Sequence, residues 1–201
     1  MVPLQYIIGS TDIDSALATG CHWLQLHHTQ KLTNETATKL LARSHSGGAY
    51  LVLTDNLECC SAVAADGVVL TAEGIASIAS RIPEPTGIVL QRPRPITLAI
   101  GEARRTLGEE SPQFVGVVAE TPEDAVAAAK AGADFIQAPV SLCGELLKAV
   151  RERSFTTPIV ALGAVDAESI PTLLNEGLSG IACTIEDAPP VMIPLLLNAD
   201  E

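Results

Sequence analysis

The chain has 201 residues, a length typical of one domain, and 47% of them are hydrophobic, which is enough for one large core. Its formal net charge of −12 disfavours nucleic-acid binding, because Lys and Arg supply most of the affinity for phosphate backbones. The first ten residues lack the basic start of an export signal, and no apolar run approaches the ~18 residues that span a bilayer. We therefore expect a single domain over residues 1–201, located in the cytoplasm, with neither a nucleic-acid nor a membrane partner.

Short apolar runs alternate with helix-like stretches along the chain, which is typical of parallel strands joined by helices. Aromatic residues make up only 3%, so the core must consist of the small branched side chains that parallel sheets favour. We predict eight strands, at residues 4–8, 21–26, 49–54, 67–70, 114–118, 134–137, 159–162 and 180–183. Eight parallel strands close a barrel, so the predicted fold class is α/β, a (β/α)8 TIM barrel.

Helix caps predict the connections between these strands. Three helices are predicted from caps, from Thr33 to about Arg43, from Thr121 to Gly132, and from Asp166 to Gly177. Residues 75–97 do not fit the alternation, because an apolar run at 87–90 lies between two proline pairs. We predict an inserted segment at about 75–97, in which this run forms an edge strand or hairpin, before a helix over 96–107.

Five cysteines are an odd number in a chain without an export signal, and none forms a C-x-x-C pair. This count favours reduced thiols over a disulfide framework. We expect the cysteines to be small buried hydrophobic residues.

Four segments, in this order and spacing, resemble the thiamine phosphate synthases. The segments are GCHWLQL from Gly20, AYLVLTDN with AADGVVL, FVGVVAETPEDAVAAAKAGADFIQAP, and TPIVALGAVDAESIPTLLNEGLSGIACT. The related thiazole tautomerases belong to the same superfamily. The resemblance covers nearly the whole chain and implies a barrel that joins an aminopyrimidine diphosphate to a thiazole phosphate with the help of Mg²⁺.

Several positions depart from the family's pattern. The diphosphate-binding QLRxK motif aligns with residues 25–29, so Gln25 is kept while His27 replaces the arginine and Thr29 replaces the lysine. An imidazole and a hydroxyl do not supply the fixed charge and forked donors that hold a diphosphate. The tautomerase histidine loop contains Pro139 and Val140 instead, so tautomerase activity is disfavoured as well.

The metal site implied by the resemblance is kept in part. The family's acidic pair aligns with Thr54 and Asp55, and the carboxylate after the fourth strand aligns with Gly74, beside Glu73. Asp55 and Glu73 are therefore the candidate Mg²⁺ ligands.

The phosphate site of such barrels lies in the loops after the seventh and eighth strands. Gly163 is kept, the second glycine of the pair is Ala164, and Thr184 follows the eighth strand. The neighbouring Glu186 and Asp187 are expected to repel a phosphate.

Two alternatives remain for the polar residues at the carboxyl ends of the strands. His27 and Asp55 are the candidate catalytic residues, with the carboxylate orienting an imidazole base; alternatively His27 is solvated and Asp55 caps the helix near Asn56. Gln137 replaces a family glycine, and it either contacts a different ligand or fills the cavity. The candidate substrate-binding residues are Gln25, His27, Thr54, Asp55, Gln137, Gly163, Ala164 and Thr184.

Two functions follow. The first is a synthase-like protein of thiamine biosynthesis with a substantially degenerate site, whose partner is a small molecule with or without a phosphate group. The second is a non-catalytic or repurposed paralogue that binds another small molecule or acts as a scaffold. The apolar stretch 191–197 is expected to close the barrel; alternatively, it contributes to the interface of a homodimer.

Overall fold

The computed structural model describes residues 4–9, 13–27, 32–83, 94–108, 111–166 and 168–187. Its strands are β1 (Leu4–Ile8), β2 (Trp23–Leu26), β3 (Tyr50–Thr54), β4 (Gly67–Leu70), β5 (Phe114–Val118), β6 (Phe135–Pro139), β7 (Ile159–Leu162) and β8 (Gly180–Cys183). Neighbouring strands pair in parallel and in chain order, and β1 also pairs with β8, which closes the sheet. The predicted α/β class with parallel strands is confirmed.

Three strands differ from their predicted bounds. β2 and β3 begin at Trp23 and Tyr50, later than predicted. Before β3, the N–H of Ala49 still donates to Ser44 in the turn that ends the preceding helix. β6 begins at Phe135 and continues to Pro139, which pairs with Leu162 of β7. Pro139 is the last residue of the strand, and a 3-10 helix begins directly after it.

The helices form the outer layer around the sheet. They are α1 (Ile13–Ala18), α2 (Asn34–Ser46), α3 (Leu57–Val63), α4 (Ala72–Arg81), α5 (Pro95–Leu107), α6 (Pro122–Lys130), α7 (Cys143–Glu152) and α8 (Ile170–Glu176), and a short 3-10 helix covers Val140–Leu142. No helix in the described ranges combines the length and the apolar character needed to cross a membrane.

Two of the three predicted caps are confirmed. The hydroxyls of Thr33 and Thr121 accept the backbone N–H groups of residues 36 and 124, at the starts of α2 and α6. The third prediction is wrong at its start, since α8 begins at Ile170. Asp166 instead accepts the backbone N–H and hydroxyl of Ser169 in a separate turn. Pro171 lacks the N–H that a helix starting at Asp166 would need in its second turn.

The predicted bounds of the inserted segment, about 75–97, are wrong. Thr71 caps α4 directly after β4, and Pro95 already begins α5, so much of the segment is regular helix. Because α5 contacts both α3 and α6, it takes the place of the regular connecting helix, and α4 is the additional one. The predicted edge strand at 87–90 lies outside the described residues.

The core has one layer between sheet and helices and one inside the barrel. Leu24, Leu51 and Ile136 belong to the first layer, and Val52 and Val69 to the second. All five cysteines are free and buried, as predicted. The predominance of small aliphatic side chains matches the low aromatic content.

Candidate functional site

The candidate residues lie at the carboxyl ends of the strands because all eight strands are parallel and their ends share one side of the barrel. Gln25, Thr54 and Gln137 belong to the strands themselves, whereas His27, Asp55, Gly163, Ala164 and Thr184 follow strand ends. Glu73 lies beyond the end of β4, in the first turn of α4. The structure therefore places the predicted set at one end of the barrel, though not in one mutually bonded cluster.

Three of these residues form a buried polar chain across the barrel. The amide nitrogen Nε2 of Gln137 donates to Oε1 of Gln25 over 2.7 Å, and Nε2 of Gln25 donates to Oγ1 of Thr54 over 3.1 Å. The three residues are only 0–3% exposed. Of the two alternatives for Gln137, its burial and this bond favour filling of the interior, because the bond satisfies Nε2 of Gln137 and Oε1 of Gln25, which would be costly to leave unpaired.

Asp55 connects the end of β3 to the start of α4. Its Oδ1 accepts the backbone N–H of Thr71 over 2.7 Å, and its Oδ2 accepts the Thr71 hydroxyl. Its backbone is left-handed, with φ of 52°. A Cβ added to Gly74 would overlap the Asp55 carboxylate, so this approach requires glycine. The carboxylate thus anchors the additional helix.

The predicted pairing of His27 with Asp55 does not occur among the described residues. His27 is exposed directly after β2, and no hydrogen bond joins it to Asp55. The cap of α3 is Asn56, whose Oδ1 accepts the N–H of Cys59 over 3.1 Å. The alternative role of Asp55 as a cap of this helix is therefore wrong as well.

The described residues do not fit a Mg²⁺ site built on Asp55 and Glu73. Within the described ranges no group of three or more His, Cys, Asp or Glu side chains is placed to hold a metal ion. Both carboxylate oxygens of Asp55 already accept hydrogen bonds from Thr71. We therefore derive no chemical step through a metal.

The loops after β7 and β8 flank the position where such barrels bind phosphate. Gly163 has a φ of 117°, which favours glycine, and its N–H donates to the carbonyl of Ala182. Ala164 is exposed beside it. The Thr184 hydroxyl donates to Asp187 over 2.7 Å and accepts the Asp187 N–H over 3.2 Å. Thr184 thus stabilises its own turn.

In the described parts of the loops that follow the strands, all the charged side chains except His27 are carboxylates. In their described parts, the loops that directly follow the strands contain no Lys or Arg. They contain the carboxylates of Asp55, Glu120, Asp166, Glu168, Glu186 and Asp187. A negative potential of this kind disfavours anions and is attenuated by salt.

Thr71 and Gly74 are the residues that sequence reasoning missed as partners of Asp55. A signal was available for Thr71, because a threonine directly after a strand and before a helical pattern is a cap. The close approach of Gly74 to Asp55 could not be inferred, because Gly74 aligned with a metal-binding carboxylate and was interpreted as a lost ligand.

Known proteins that are similar to this chain in sequence include several thiamine-phosphate synthases. The chain is 29% identical to the thiamine-phosphate synthase of Phocaeicola vulgatus over 207 residues, which cover 90% of this chain and 88% of that protein. It is 25% identical over 185 residues to thiamine-phosphate synthase 2 of Streptococcus pneumoniae, which cover 85% and 75% respectively. No protein-family model matches the chain.

Solved structures agree on the fold. The thiamine phosphate pyrophosphorylase from Pyrococcus furiosus superposes with a TM-score of 0.64 at 23% identity, over 90% of this chain and 84% of that one. An HpcH/HpaI aldolase from Desulfitobacterium hafniense has a TM-score of 0.61 at 9% identity, over 98% and 90%. These barrels carry different names, so the fold alone does not assign a reaction. The sequence matches support a divergent relative of the thiamine-phosphate synthases, and the solved structures support the fold alone.

Proposed function

We propose that the chain is a single-domain (β/α)8 barrel of the thiamine-phosphate-synthase type with a substantially degenerate catalytic site. Its relatives support a role like theirs in thiamine biosynthesis. The residues at the carboxyl end of the barrel support only residual turnover, because a diphosphate substrate would meet few of the cationic groups it needs.

The observation that carries this proposal is the charge of the strand-end loops. An aminopyrimidine diphosphate and a thiazole phosphate are both anionic, and each charge-assisted hydrogen bond to a phosphate group contributes ~1.5–3 kcal/mol. His27 stands where the family has an arginine, and the described strand-end loops contain carboxylates but neither Lys nor Arg. The substrates therefore lack cationic partners in these loops, and repulsion by the carboxylates weakens their binding further.

A repurposed paralogue is the second candidate, and the buried polar chain favours it. In the family's pattern a glycine stands at the position of Gln137. The Gln137 side chain is fully buried and bonded to Gln25, so it takes up interior space that a glycine would leave open. Such a barrel would bind a different small molecule or act as a scaffold.

Calorimetric titration distinguishes the two candidates. The protein is titrated with thiamine phosphate and with inorganic diphosphate, each with and without Mg²⁺, and a product assay with both synthase substrates follows. Weak binding with slow but measurable turnover supports the degenerate synthase. Tight, Mg²⁺-dependent diphosphate binding contradicts degeneracy, and complete absence of turnover favours the repurposed paralogue.

Restoring the family's residues provides the matched control. The triple variant His27→Arg, Thr29→Lys, Gln137→Gly returns both cations and removes the buried amide. We expect it to bind diphosphate at least tenfold more tightly than the parent chain, whereas the variant Gln137→Gly alone gains little, because it adds no charge. Equal affinities in the triple variant and the parent would show that charge is not what limits binding.

A further inference from the structure

A pocket lies at the amino end of the barrel, opposite the candidate site. It is a pocket of about 190 Å³ whose walls are mostly apolar. It is lined by Trp23, Phe114, Asp134, Phe135, Pro158, Val160 and Ser179. These residues begin strands or directly precede them, so the pocket is the amino-terminal opening of the barrel interior.

The rings enter the barrel because glycines face them on the neighbouring strands. Phe135 pairs with Gly116, and Phe114 pairs with Gly67. A Cβ on Gly116 would overlap the ring of Phe135, and one on Gly67 would lie 2.9 Å from the Cβ of Phe114. A glycine opposite each phenylalanine thus leaves room for the ring against the sheet.

Trp23 is the centre of this aromatic group. Its ring centroid lies 4.8 Å from that of Phe114 and 5.5 Å from those of Phe135 and Tyr50, at tilted or edge-on angles. Such geometries are the ones that aromatic rings prefer. Trp23 and Phe114 are only partly buried, and Tyr50 is 48% exposed. A chain with six aromatic residues therefore places four of them around one solvent-accessible opening.

Among the described residues that line the pocket, the one charged side chain, Asp134, is balanced by an ion pair. Asp134 forms an ion pair of 2.5 Å with Arg104, and its Oδ2 also accepts the N–H of Val115. Ser179 offers a hydroxyl at the same rim. A charged ligand would find no partner of opposite charge at this rim. An uncharged aromatic ring would contact the apolar walls, and one hydroxyl on it would bond at the polar rim.

We infer that this pocket is a binding site for a small, uncharged, single-ring aromatic molecule. Its volume suits one ring, since an apolar cavity of about 150 Å³ holds benzene. The site is distinct from the carboxyl end of the barrel, so it does not depend on the proposed function. Ring stacking on Trp23 and Phe114 provides the attraction, and Ser179 provides one hydrogen-bonding group.

The position of Trp23 makes the test direct, because it is the one tryptophan of the chain. The protein is excited at about 295 nm and titrated with benzyl alcohol, which absorbs at shorter wavelengths. We expect saturable quenching or a shift of emission, with half-saturation of about 0.1–5 mM for so few heavy atoms. The variant Ser179→Leu places a larger side chain at the rim and should weaken binding at least about tenfold. His27→Ala, at the other end of the barrel, is the control and should bind as the parent does.

A second measurement keeps the inference falsifiable if Ser179→Leu does not fold. In the parent chain, benzyl alcohol should shift the NMR signals of the Trp23 indole N–H and the amides at the starts of β6 and β8, while amides of the strand-end loops stay unchanged. Non-saturable quenching, equal shifts at both ends of the barrel, or no response at 20 mM, about four times the expected upper half-saturation, would each overturn the site. Self-association that buries Trp23 and abolishes the response would overturn it as well.

Discussion

Asp55 and Thr71 are joined by two hydrogen bonds, one from the backbone N–H and one from the side-chain hydroxyl of the threonine. The pair fixes the cap of α4 to the end of β3, and Thr71 itself directly follows β4, the neighbouring strand of the sheet. The residue that resembles a metal-binding aspartate therefore has a structural role in holding an extra helix. The left-handed φ of Asp55 suits this role, since aspartate tolerates that region better than most residues.

Replacing Asp55 tests this role. We expect Asp55→Ala to lower the free energy of unfolding by about 2–3 kcal/mol, because two donors of Thr71 lose their acceptor and the left-handed backbone suits alanine poorly. Asparagine keeps one acceptor oxygen and tolerates the left-handed backbone, so Asp55→Asn should lower the free energy of unfolding by about half as much. Urea unfolding followed by circular dichroism measures both.

The control for Asp55 is Asp187→Ala, which removes an exposed carboxylate whose bonds to described residues lie within its own turn, with Thr184. Its cost should stay within about 1 kcal/mol. If Asp55→Ala were no more destabilising than this control, the link to α4 would contribute nothing to stability.

The buried chain of Gln137, Gln25 and Thr54 predicts coupled losses of stability. Thr54→Val removes the buried hydroxyl that accepts from Gln25, and we expect it to lower the free energy of unfolding by about 1–3 kcal/mol. Thr38→Val is the matched control, because that hydroxyl is exposed on α2 and its loss should cost under about 0.5 kcal/mol. Calorimetric or urea unfolding measures both.

A double-mutant cycle tests whether the chain acts as a unit. We expect the double variant Gln25→Leu, Gln137→Leu to lose about 1 kcal/mol less free energy of unfolding than the sum of the two single variants. Each single change leaves the other amide without its partner, and the second change removes that unbonded amide. Strict additivity would show that the two amides contribute independently.

The sequence predicted the strands closely because their signals are local. Each strand is a short apolar run, and β1, β4, β5, β7 and β8 have the predicted bounds. The region after β4 was harder, because α4 has the apolar spacing of a helix while nearby prolines suggested irregular structure. Ile75 and Ala79, one turn apart and both buried, are the local evidence for that helix.

The candidate site was predicted only as a set of positions. Gln25, Thr54 and Gln137 lie near the carboxyl ends of parallel strands, so they share one end of the barrel whatever side chains occupy these positions. Alignment with a family was therefore enough to find them. Their mutual bonds depend on distances across the barrel, between residues 112 apart in sequence for Gln25 and Gln137. No local pattern encodes such contacts, and the close approach of Gly74 to Asp55 was missed for the same reason.

Gly116 predicts a test of the amino end of the barrel. Gly116→Ala forces the ring of Phe135 to move, and we expect a loss of about 1–3 kcal/mol in the free energy of unfolding and a changed Trp23 emission. Gly101→Ala is the opposite control. Gly101 lies exposed in α5 with open space at its Cβ, so alanine should stabilise the protein by about 0.5–1 kcal/mol there.

The buried thiols predict a loss of stability in alkaline solution. Burial raises the pKa of Cys21 and Cys60 from 9.0 to about 12, and that of Cys143 and Cys183 to about 11. The folded state thus holds these protons more tightly than the unfolded state does. Their stabilising contribution is complete below pH 9.0 and is lost as the pH rises from there through the folded-state pKa of about 11–12.

Urea unfolding at pH 8 and pH 10.5 measures this loss, which should approach about 1 kcal/mol per pH unit for each thiol within that window. Because other groups also titrate there, the comparison is made against Cys60→Ala, which removes one buried thiol. The variant should lose less stability between the two pH values than the parent chain does. An identical loss in both proteins would mean that Cys60 ionises as readily when folded as when unfolded, and that its burial does not hold the proton.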